Sequence, residues 1–171
     1  MSRAFVRESD VPQLPDLPPL VSPLPPGSRN YLTPGGAHRL QDELARLREV
    51  ERPRLASAPA EDIDAKRELQ LLDQRIRYLQ ESLRTADIVT TPAGSTDVVR
   101  FGTTVTVREP NGTETRYRIV GVDETDLDRN WVSWLSPIAR ALMNAKPGER
   151  VQFKAPRGTQ ELEIIAVEYE E

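Results

Sequence analysis

The sequence predicts a mixed α+β chain in which an antiparallel helical hairpin precedes a small antiparallel β-rich domain. Leucines recur at spacings of three and four on both sides of Pro59, a pattern typical of two helices that pack through a narrow seam. From about Thr91 the pattern changes to short alternating runs separated by turn signals, which indicates strands. The order of strands, one short helix and further strands favours an α+β domain.

Composition limits the classes of function. The 171 residues are 37% hydrophobic and 29% charged, with a net charge of −4 and no cysteine. An acidic balance gives no general reason to expect binding to free DNA or RNA, which needs a basic footprint. The lack of cysteine excludes disulfides and thiolate metal sites. No stretch reaches the roughly 18 to 20 apolar residues of a membrane span, so we expect a cytoplasmic protein with no membrane partner.

The first segment, residues 1–29, is rich in proline and holds seven of the fifteen prolines. Proline removes backbone donors and fixes φ, and the interspersed leucines are too sparse to form a helical face. We therefore predict an extended, mostly disordered tail. It would act as a spacer or dispensable extension, or alternatively as a proline-rich ligand for a partner domain.

The second segment, residues 30–90, reads as the hairpin. Thr33-Pro34 is a helix-start signal, with a hydroxyl cap followed by proline at the first helical position. Arms of about 22 to 25 residues would extend roughly 33 to 37 Å. Pro53 should kink the first arm or lie where a backbone hydrogen bond can be spared. The predicted seam residues are Leu40, Leu44, Leu47 and Val50 on the first arm and Leu69, Leu72, Ile76, Leu79 and Leu83 on the second.

The third segment, residues 91–171, should hold the strands. A strand through Val105 and Val107 leads into the turn signal Glu109-Pro110-Asn111-Gly112. Further strands are predicted at residues 117–120, 131–135, 151–154 and 161–169, with a short helix at 138–143 that starts at Ser136-Pro137. Trp131 and Trp134 are three residues apart and would lie on opposite strand faces, one in the core and the other partly exposed.

Three carboxylates, Glu61, Asp62 and Asp64, follow Pro59 where the two helices meet. Acidic residues in a first helical turn stabilise the helix through its dipole, typically by about 0.3 to 1 kcal/mol each. Ser57 and Pro59 place such a helix start nearby. The same carboxylates are hard oxygen ligands of the kind that Mg²⁺ prefers, so a functional role is the alternative to capping.

The residues also resemble a known family. The chain is similar to the GreA/GreB bacterial transcript-cleavage factors over about residues 31–170, and several groups look closer to the GreB branch. The resemblance implies an FKBP-like C-terminal domain, a coiled-coil hairpin, cytoplasmic location and association with DNA during transcription. The matching groups are Ser136–Leu142, Lys146–Val151, Glu51–Pro53, Arg75–Leu79, Tyr117–Gly121 and Ile165–Tyr169.

The resemblance implies a function as well. Such factors bind RNA polymerase, insert the hairpin into its secondary channel and promote cleavage of the transcript in backtracked complexes. They are not enzymes alone and take no small-molecule substrate, because the polymerase performs the reaction and holds most of the Mg²⁺ coordination. By this resemblance Asp62 and Asp64, with Glu61, would be the catalytic acids, and Asp62 and Asp64 would share the metal with the polymerase.

Two further sets of residues follow from the resemblance. One would bind the polymerase, and its alternative reading is an ordinary helix packed on its sheet. The other would contact RNA, and its alternative reading is a solvated face with partners such as Asp73 and Arg77. The polymerase-binding set is Ser136, Pro137, Ile138 and Arg140. The basic set, which would contact the nascent RNA 3′ end, is Arg46, Arg54, Arg67, Arg75 and Arg77.

The tip of the predicted hairpin, where the two helices meet around Pro59, departs from the family pattern. The family's usual stretch, resembling G-D-[LR]-x-E-N-[AS]-[DE]-Y, is missing, and the reversal is compressed to Ala58-Pro59-Ala60. Arms shorter by about six residues each would lose roughly 9 Å of reach. The alternative function is therefore a non-cleaving secondary-channel protein that competes with cleavage factors or modulates transcription. Peptidyl-prolyl isomerase activity would rest on the FKBP-like fold alone, and fold does not carry function.

Overall fold

The computed structural model describes residues 13–91 and 94–169, and it has a helical N-terminal region followed by a curled β-sheet. The described chain divides into two compact units. A helical unit contains residues 13–22 and Leu40–Leu83, and a β-rich unit contains Pro23–Arg39 and residues from Arg84 onward. The predicted tail falls partly on residues 1–12, which lie outside the described residues.

The first arm of the helical region is built from three consecutive helical pieces. These are α1 (Pro34–Arg46), a π-helical segment (Leu47–Glu51) and α2 (Arg52–Ala56). The backbone N–H of Arg52 donates to the carbonyl of Leu47, five residues earlier. Pro53 follows directly and has no N–H, and its ring would clash with a carbonyl of the preceding α-helical turn. The wider π turn accommodates the proline, so the arm continues through it.

The π segment explains one wrong prediction in the seam. Val50 was expected to face the second arm, but it is 58% exposed, whereas Leu47 and Leu55 are buried. A π turn inserts one extra residue and rotates the following residues around the helix axis. Leu55 therefore takes the seam position two turns after Leu47, and Val50 points outward.

The second arm is one uninterrupted helix, α3 (Ile63–Thr85), and two ion pairs join it to the first arm. Arg75 donates to Glu43 at 2.8 and 3.0 Å, and Arg52 donates to Asp73 at 2.8 and 3.3 Å. The carboxylate of Asp73 raises the pKa of the Arg52 guanidinium above its ordinary value, first through the hydrogen bond and then through its charge. Asp73 therefore pairs across the arms and not with Arg77.

The β-rich unit contains two sheets. A small parallel pair joins β1 (Asn30–Leu32) to β2 (Ala86–Ile88). The larger sheet has the strand order β3-β8-β4-β5-β6, and β7 pairs with β8. Its strands are β3 (Gly94–Ser95), β4 (Thr103–Arg108), β5 (Glu114–Val120), β6 (Trp131–Ser133), β7 (Arg150–Ala155) and β8 (Gly158–Tyr169).

The sheet confirms most of the predicted strands and corrects their assumed direction. The turn at residues 109–112 joins β4 to β5, with Gly112 at φ +87°. However, β5 and β6 are parallel, with Arg118 opposite Trp131. The connection between them is a crossover that includes a short 3₁₀ turn (Val122–Glu124), so β6 starts from the same end of the sheet as β5. The sheet is therefore mixed and not purely antiparallel.

The core of the β-rich unit lies between the sheet and α4 (Pro137–Leu142). Val105 and Val107 alternate toward this core, as predicted from their spacing. A register shift between β4 and β8 at Thr106 and Val107 marks a β-bulge, and bulges bend a sheet. The other core residues are Val99, Ile119, Ala139, Leu142, Ala145, Leu162, Ile164 and Val167.

Candidate functional site: the acidic tip and the capped helix of the sheet unit

The connection between the first arm and α3 occupies residues 57–62. The backbone N–H of Asp62 donates to the Pro59 carbonyl at 3.0 Å, which closes the turn. The Asp62 Oδ1 atom then accepts a hydrogen bond from the Ala65 backbone N–H at 2.9 Å, so Asp62 is the N-cap of α3. The Ser57 hydroxyl donates to the Arg54 carbonyl at 2.8 Å and so belongs to the end of the first arm.

Glu61 and Asp62 lie in this connection, Asp64 lies in the first turn of α3, and all three are exposed. Within residues 13–91 and 94–169, no group of three or more histidine, aspartate or glutamate side chains is arranged to hold a metal ion. One oxygen of Asp62 is already engaged in the helix cap. The exposed carboxylate oxygens of the tip are hard donors of the kind that Mg²⁺ prefers.

The five arginines of the predicted basic set are not equally available. Arg46 and Arg54 share the carboxylate of Glu51, at 3.4 and 3.0 Å. Arg75 pairs with Glu43 and stacks over Tyr78, 5.5 Å from the ring centroid. The other two predicted arginines, at positions 67 and 77, are exposed on α3. Neighbouring carboxylates thus neutralise part of the predicted basic face.

The second predicted site is at the start of α4. The Ser136 hydroxyl accepts from the Ala139 backbone N–H at 3.2 Å, and Pro137 is the first helical residue, as the sequence predicts. Pro137 and Arg140 are exposed, whereas Ile138 is half-buried against the core. The exposed part of the predicted docking set is therefore the capped first turn and the Arg140 side chain.

Glu124, which no local sequence pattern marks, is buried beside the first turn of α1. Its carboxylate accepts from the backbone N–H groups of Thr33 at 3.0 Å and Gly121 at 2.9 Å, and also from the Thr33 hydroxyl. The Arg39 guanidinium lies 3.6 Å away. The Gly36 backbone leaves no room for a side chain next to this carboxylate. Thr33 and Glu124 are 91 positions apart, so no local sequence signal links them.

Both tryptophans lie in the β-rich unit and are half-buried. Trp134 packs against the core and makes an edge contact with Tyr31, 5.2 Å between ring centroids. Trp131 has three guanidinium groups over its ring, at 4.9 to 5.2 Å from the centroid. These are the groups of Arg39, Arg118 and Arg129. Trp134 is therefore the ring that packs against the core, as one of the two was predicted to do, but neither ring is fully buried.

Comparison with known proteins decides the family. The model of the N-terminal domain of transcription elongation factors matches residues 30–88, and the model of the GreA/GreB C-terminal domain matches residues 94–169. Together they cover more than half of the chain. The chain belongs to the GreA/GreB family of transcription elongation factors.

Relatives from both branches of the GreA/GreB family are similar to this chain. Transcription elongation factor GreB of Neisseria meningitidis serogroup B is 37% identical over 83% of this chain and 95% of its own length. GreA of Alkalilimnicola ehrlichii is 40% identical over 83% of this chain and 99% of its own length. The solved GreA factor homolog 1 (Gfh1) of Thermus thermophilus is 24% identical, with a TM-score of 0.39, over 82% of this chain and 99% of that chain.

The family match assigns the two predicted sites to different matched regions. The acidic tip lies within the N-terminal match, and the Ser136 helix start lies within the C-terminal match. The proline-rich residues before position 30 lie outside both matches. None of the described helices is both long and apolar enough to cross a membrane.

Proposed function

We propose that this GreA/GreB family member binds RNA polymerase, inserts its helical region into the secondary channel and promotes transcript cleavage in backtracked complexes. The observation that carries the proposal is the position of three exposed carboxylates at the reversal between two paired helical arms. Membership of the family supports RNA polymerase as the partner, and the carboxylates of the tip support a role in metal-assisted cleavage. In this role the chain acts in the cytoplasm and is not an enzyme by itself.

The proposal requires the helical region to be an antiparallel hairpin. Two ion pairs support this arrangement, because Glu43, earlier on the first arm, pairs with Arg75, and Arg52, later on that arm, pairs with Asp73. Each arm contains 23 residues when its helical pieces are taken together, at residues 34–56 and 63–85. At 1.5 Å per residue, each arm would be about 34 Å long.

The tip would contribute ligands and would not form a metal site of its own. Mg²⁺ positions and activates water for phosphodiester hydrolysis when it is bound by hard oxygen ligands. Asp62 and Asp64 are the residues that would complete such a site, with Glu61 next to them. Because these carboxylates are exposed and few, the remaining ligands would have to belong to the polymerase.

Two other surfaces would support this function. The C-terminal domain, for which we propose an FKBP-like fold, would dock through the exposed residues Pro137 and Arg140, with Ser136 fixing the helix start and Ile138 anchoring it to the core. Arg67 and Arg77 are the arginines of the basic set best placed to meet RNA, because the other three lie beside carboxylates. Contact with the nascent RNA 3′ end would then depend mainly on α3.

A second candidate is a secondary-channel protein that does not cleave and competes with cleavage factors. One supporting observation is that the Asp62 carboxylate caps α3. Another is the length of the chain. The GreB alignment spans 155 positions but 83% of 171 residues, which is about 142, so this chain lacks a residue at about 13 aligned positions. If these positions belong to the arms, the tip would reach less far.

Transcript cleavage by a purified backtracked elongation complex tests the two candidates. The complex is incubated with the protein and Mg²⁺, and the length of the RNA is followed. The informative variant is Asp62→Asn with Asp64→Asn, because asparagine is an equally good N-cap but a weak metal ligand. Its matched control is Glu49→Gln with Glu81→Gln, which removes two exposed carboxylates far along the arms from the tip.

The outcomes are distinct. Prompt RNA shortening that is lost in the tip variant and kept in the control supports cleavage. Polymerase binding without shortening contradicts the cleavage role and supports the non-cleaving candidate. Absence of polymerase binding contradicts both.

A further inference from the structure

The proline-rich segment before the family-matched region lies against α3. The side-chain amide of Gln70 donates to the Pro15 carbonyl at 3.3 Å, and the amide of Gln74 donates to the Pro18 carbonyl. Gln74 is buried, and a buried amide needs such a partner. Residues 13–22 form no helix or strand, but these two contacts fix where the segment runs.

Two leucines of the segment, three residues apart, are less exposed than their neighbours. Leu14 and Leu17 are half-buried, whereas the residues on either side of each are exposed. Three residues per turn is the period of the polyproline II helix, which proline-rich segments favour. Leu14 and Leu17 have the spacing of one polyproline turn, whereas Leu20, one turn further on, is exposed.

The chemistry of the two surfaces is complementary. Pro15 and Pro18 lack N–H groups and offer only carbonyl acceptors on the backbone, and glutamine amides offer donors. Gln70 and Gln74 lie on one face of α3, about 6 Å apart along its axis. Pro15 and Pro18 are one polyproline turn apart, about 9 Å. Flexible glutamine side chains can span the difference, so one turn of each helix matches the other.

We propose that residues 13–18, here called the strap, dock on the face of α3 formed by Gln70, Gln74 and Arg77, and that the strap must leave this face before the helical region enters a polymerase channel. The proposed release of the strap before channel entry rests on the proposed function; the docking on α3 does not. A third layer of chain on α3 enlarges the cross-section of the paired arms, and it covers a face next to Arg77. The family model begins only at residue 30, so the strap is an addition to the matched regions.

Cross-linking tests the docking without polymerase. The chain has no cysteine, so an introduced pair is unique. Leu17 and Arg77 line the same cleft, of about 450 Å³, together with Asp16, Gln70 and Asp73. Leu17→Cys with Arg77→Cys should be linked by a short bis-maleimide in high yield, as measured by mass spectrometry. Val21→Cys with Arg77→Cys is the control, because Val21 is 88% exposed. Equal yields from both pairs would overturn the docking.

The same linked protein tests the competition. With a spacer that contains a disulfide, a reductant reopens the link. The reopened protein should bind the elongation complex, and the linked protein should bind it at least tenfold more weakly, since only strap-free protein can bind. Equal affinity in both states overturns the competition. Because Arg77 is itself a proposed RNA contact, the original chain is measured alongside; its failure to bind overturns the proposed function and the competition with it, and the cross-linking yield still decides the docking.

A pair of substitutions provides an independent readout. Gln70→Ala with Gln74→Ala removes both amide donors and should raise the affinity for the elongation complex by about tenfold if the strap is mostly docked. Gln41→Ala with Gln80→Ala is the matched control, because these two glutamines are exposed, one on the first arm and one on α3. Circular dichroism should show unchanged helix content in both variants. Unchanged affinity in the Gln70 and Gln74 variant, with the helices intact, contradicts the strap.

Discussion

The two helical arms begin with the same local chemistry in opposite environments. Thr33 caps the first arm, and its hydroxyl accepts from the Gly36 backbone N–H at 3.0 Å. Asp62 caps the second arm and accepts from the Ala65 N–H at 2.9 Å. Thr33 is buried and also binds Glu124, whereas Asp62 is exposed.

The difference separates a structural polar group from one that is available for function. A buried polar group is costly to disturb, because the groups that bind it are left without partners and away from water. An exposed cap can be replaced by water at a small cost. The tip acids therefore can serve a second purpose, while the Thr33 cap belongs to the stability of the β-rich unit.

The largest expected effect comes from Glu124→Ala. This change leaves the backbone N–H groups of Thr33 and Gly121 without their acceptor and the Arg39 guanidinium without its carboxylate. The Arg39 side chain is about half exposed, so the cost comes mainly from the two buried backbone donors, at about 1 to 3 kcal/mol each. Urea denaturation followed by tryptophan fluorescence measures it, because both tryptophans lie in the β-rich unit.

A surface carboxylate of the same unit provides the control. Glu114 forms an exposed ion pair with Arg108 at 2.7 Å, and such pairs contribute about 0 to 1 kcal/mol. Glu114→Ala should therefore move the urea midpoint far less. Equal shifts for the two variants would show that the Glu124 network is not a buried anchor.

A smaller effect is expected at the exposed cap. Asp62→Ala should lower the free energy of unfolding of the helical unit by about 1 kcal/mol, because the cap of α3 is lost. Asp62→Asn should change it by less than about 0.5 kcal/mol, since asparagine caps equally well. Circular dichroism at the helical band measures both. If the asparagine variant is as unstable as the alanine variant, the carboxylate charge and not the cap stabilises α3.

Local sequence signals predict some of the helix caps. A hydroxyl residue before proline marks the helix starts at Thr33 and Ser136, and the structure has both caps. The acids at the tip were visible as a cluster, and capping by one of them was one of two interpretations. Which residue caps was not predictable, because it depends on the backbone path of the turn that Pro59 closes.

Other features depend on contacts or geometry that the sequence pattern does not encode. The exposure of Val50 follows from a π turn, which spacing rules for α-helices do not include. Glu124 is a single acidic residue whose partners lie in a distant part of the chain. The position of residues 13–18 depends on hydrogen bonds from Gln70 and Gln74, more than 50 positions away. In each case the missing information was the local backbone geometry or the tertiary partner.

Tyr117 on β5 is half-buried, so it is less buried than Glu124 and more buried than Asp62. Its substitution should have the smallest effect on stability. Burial, with a further contribution from the charge of Glu109, raises the pKa of the Tyr117 phenol above its ordinary value of 10.0. The folded state therefore holds this proton more tightly than the unfolded state does. The resulting stability is fully present below pH 10 and is lost as the pH rises through the folded pKa.

Tyr117→Phe should therefore make the free energy of unfolding fall less steeply above pH 10, with little change in its slope near neutral pH. The difference between the ultraviolet titrations of the original chain and the variant isolates the Tyr117 phenol. Its midpoint should lie above 10, because burial favours the neutral form. A midpoint at or below 10 would mean that water reaches the phenol freely, and the contrast in burial between the β-rich unit and the tip would then not extend to β5.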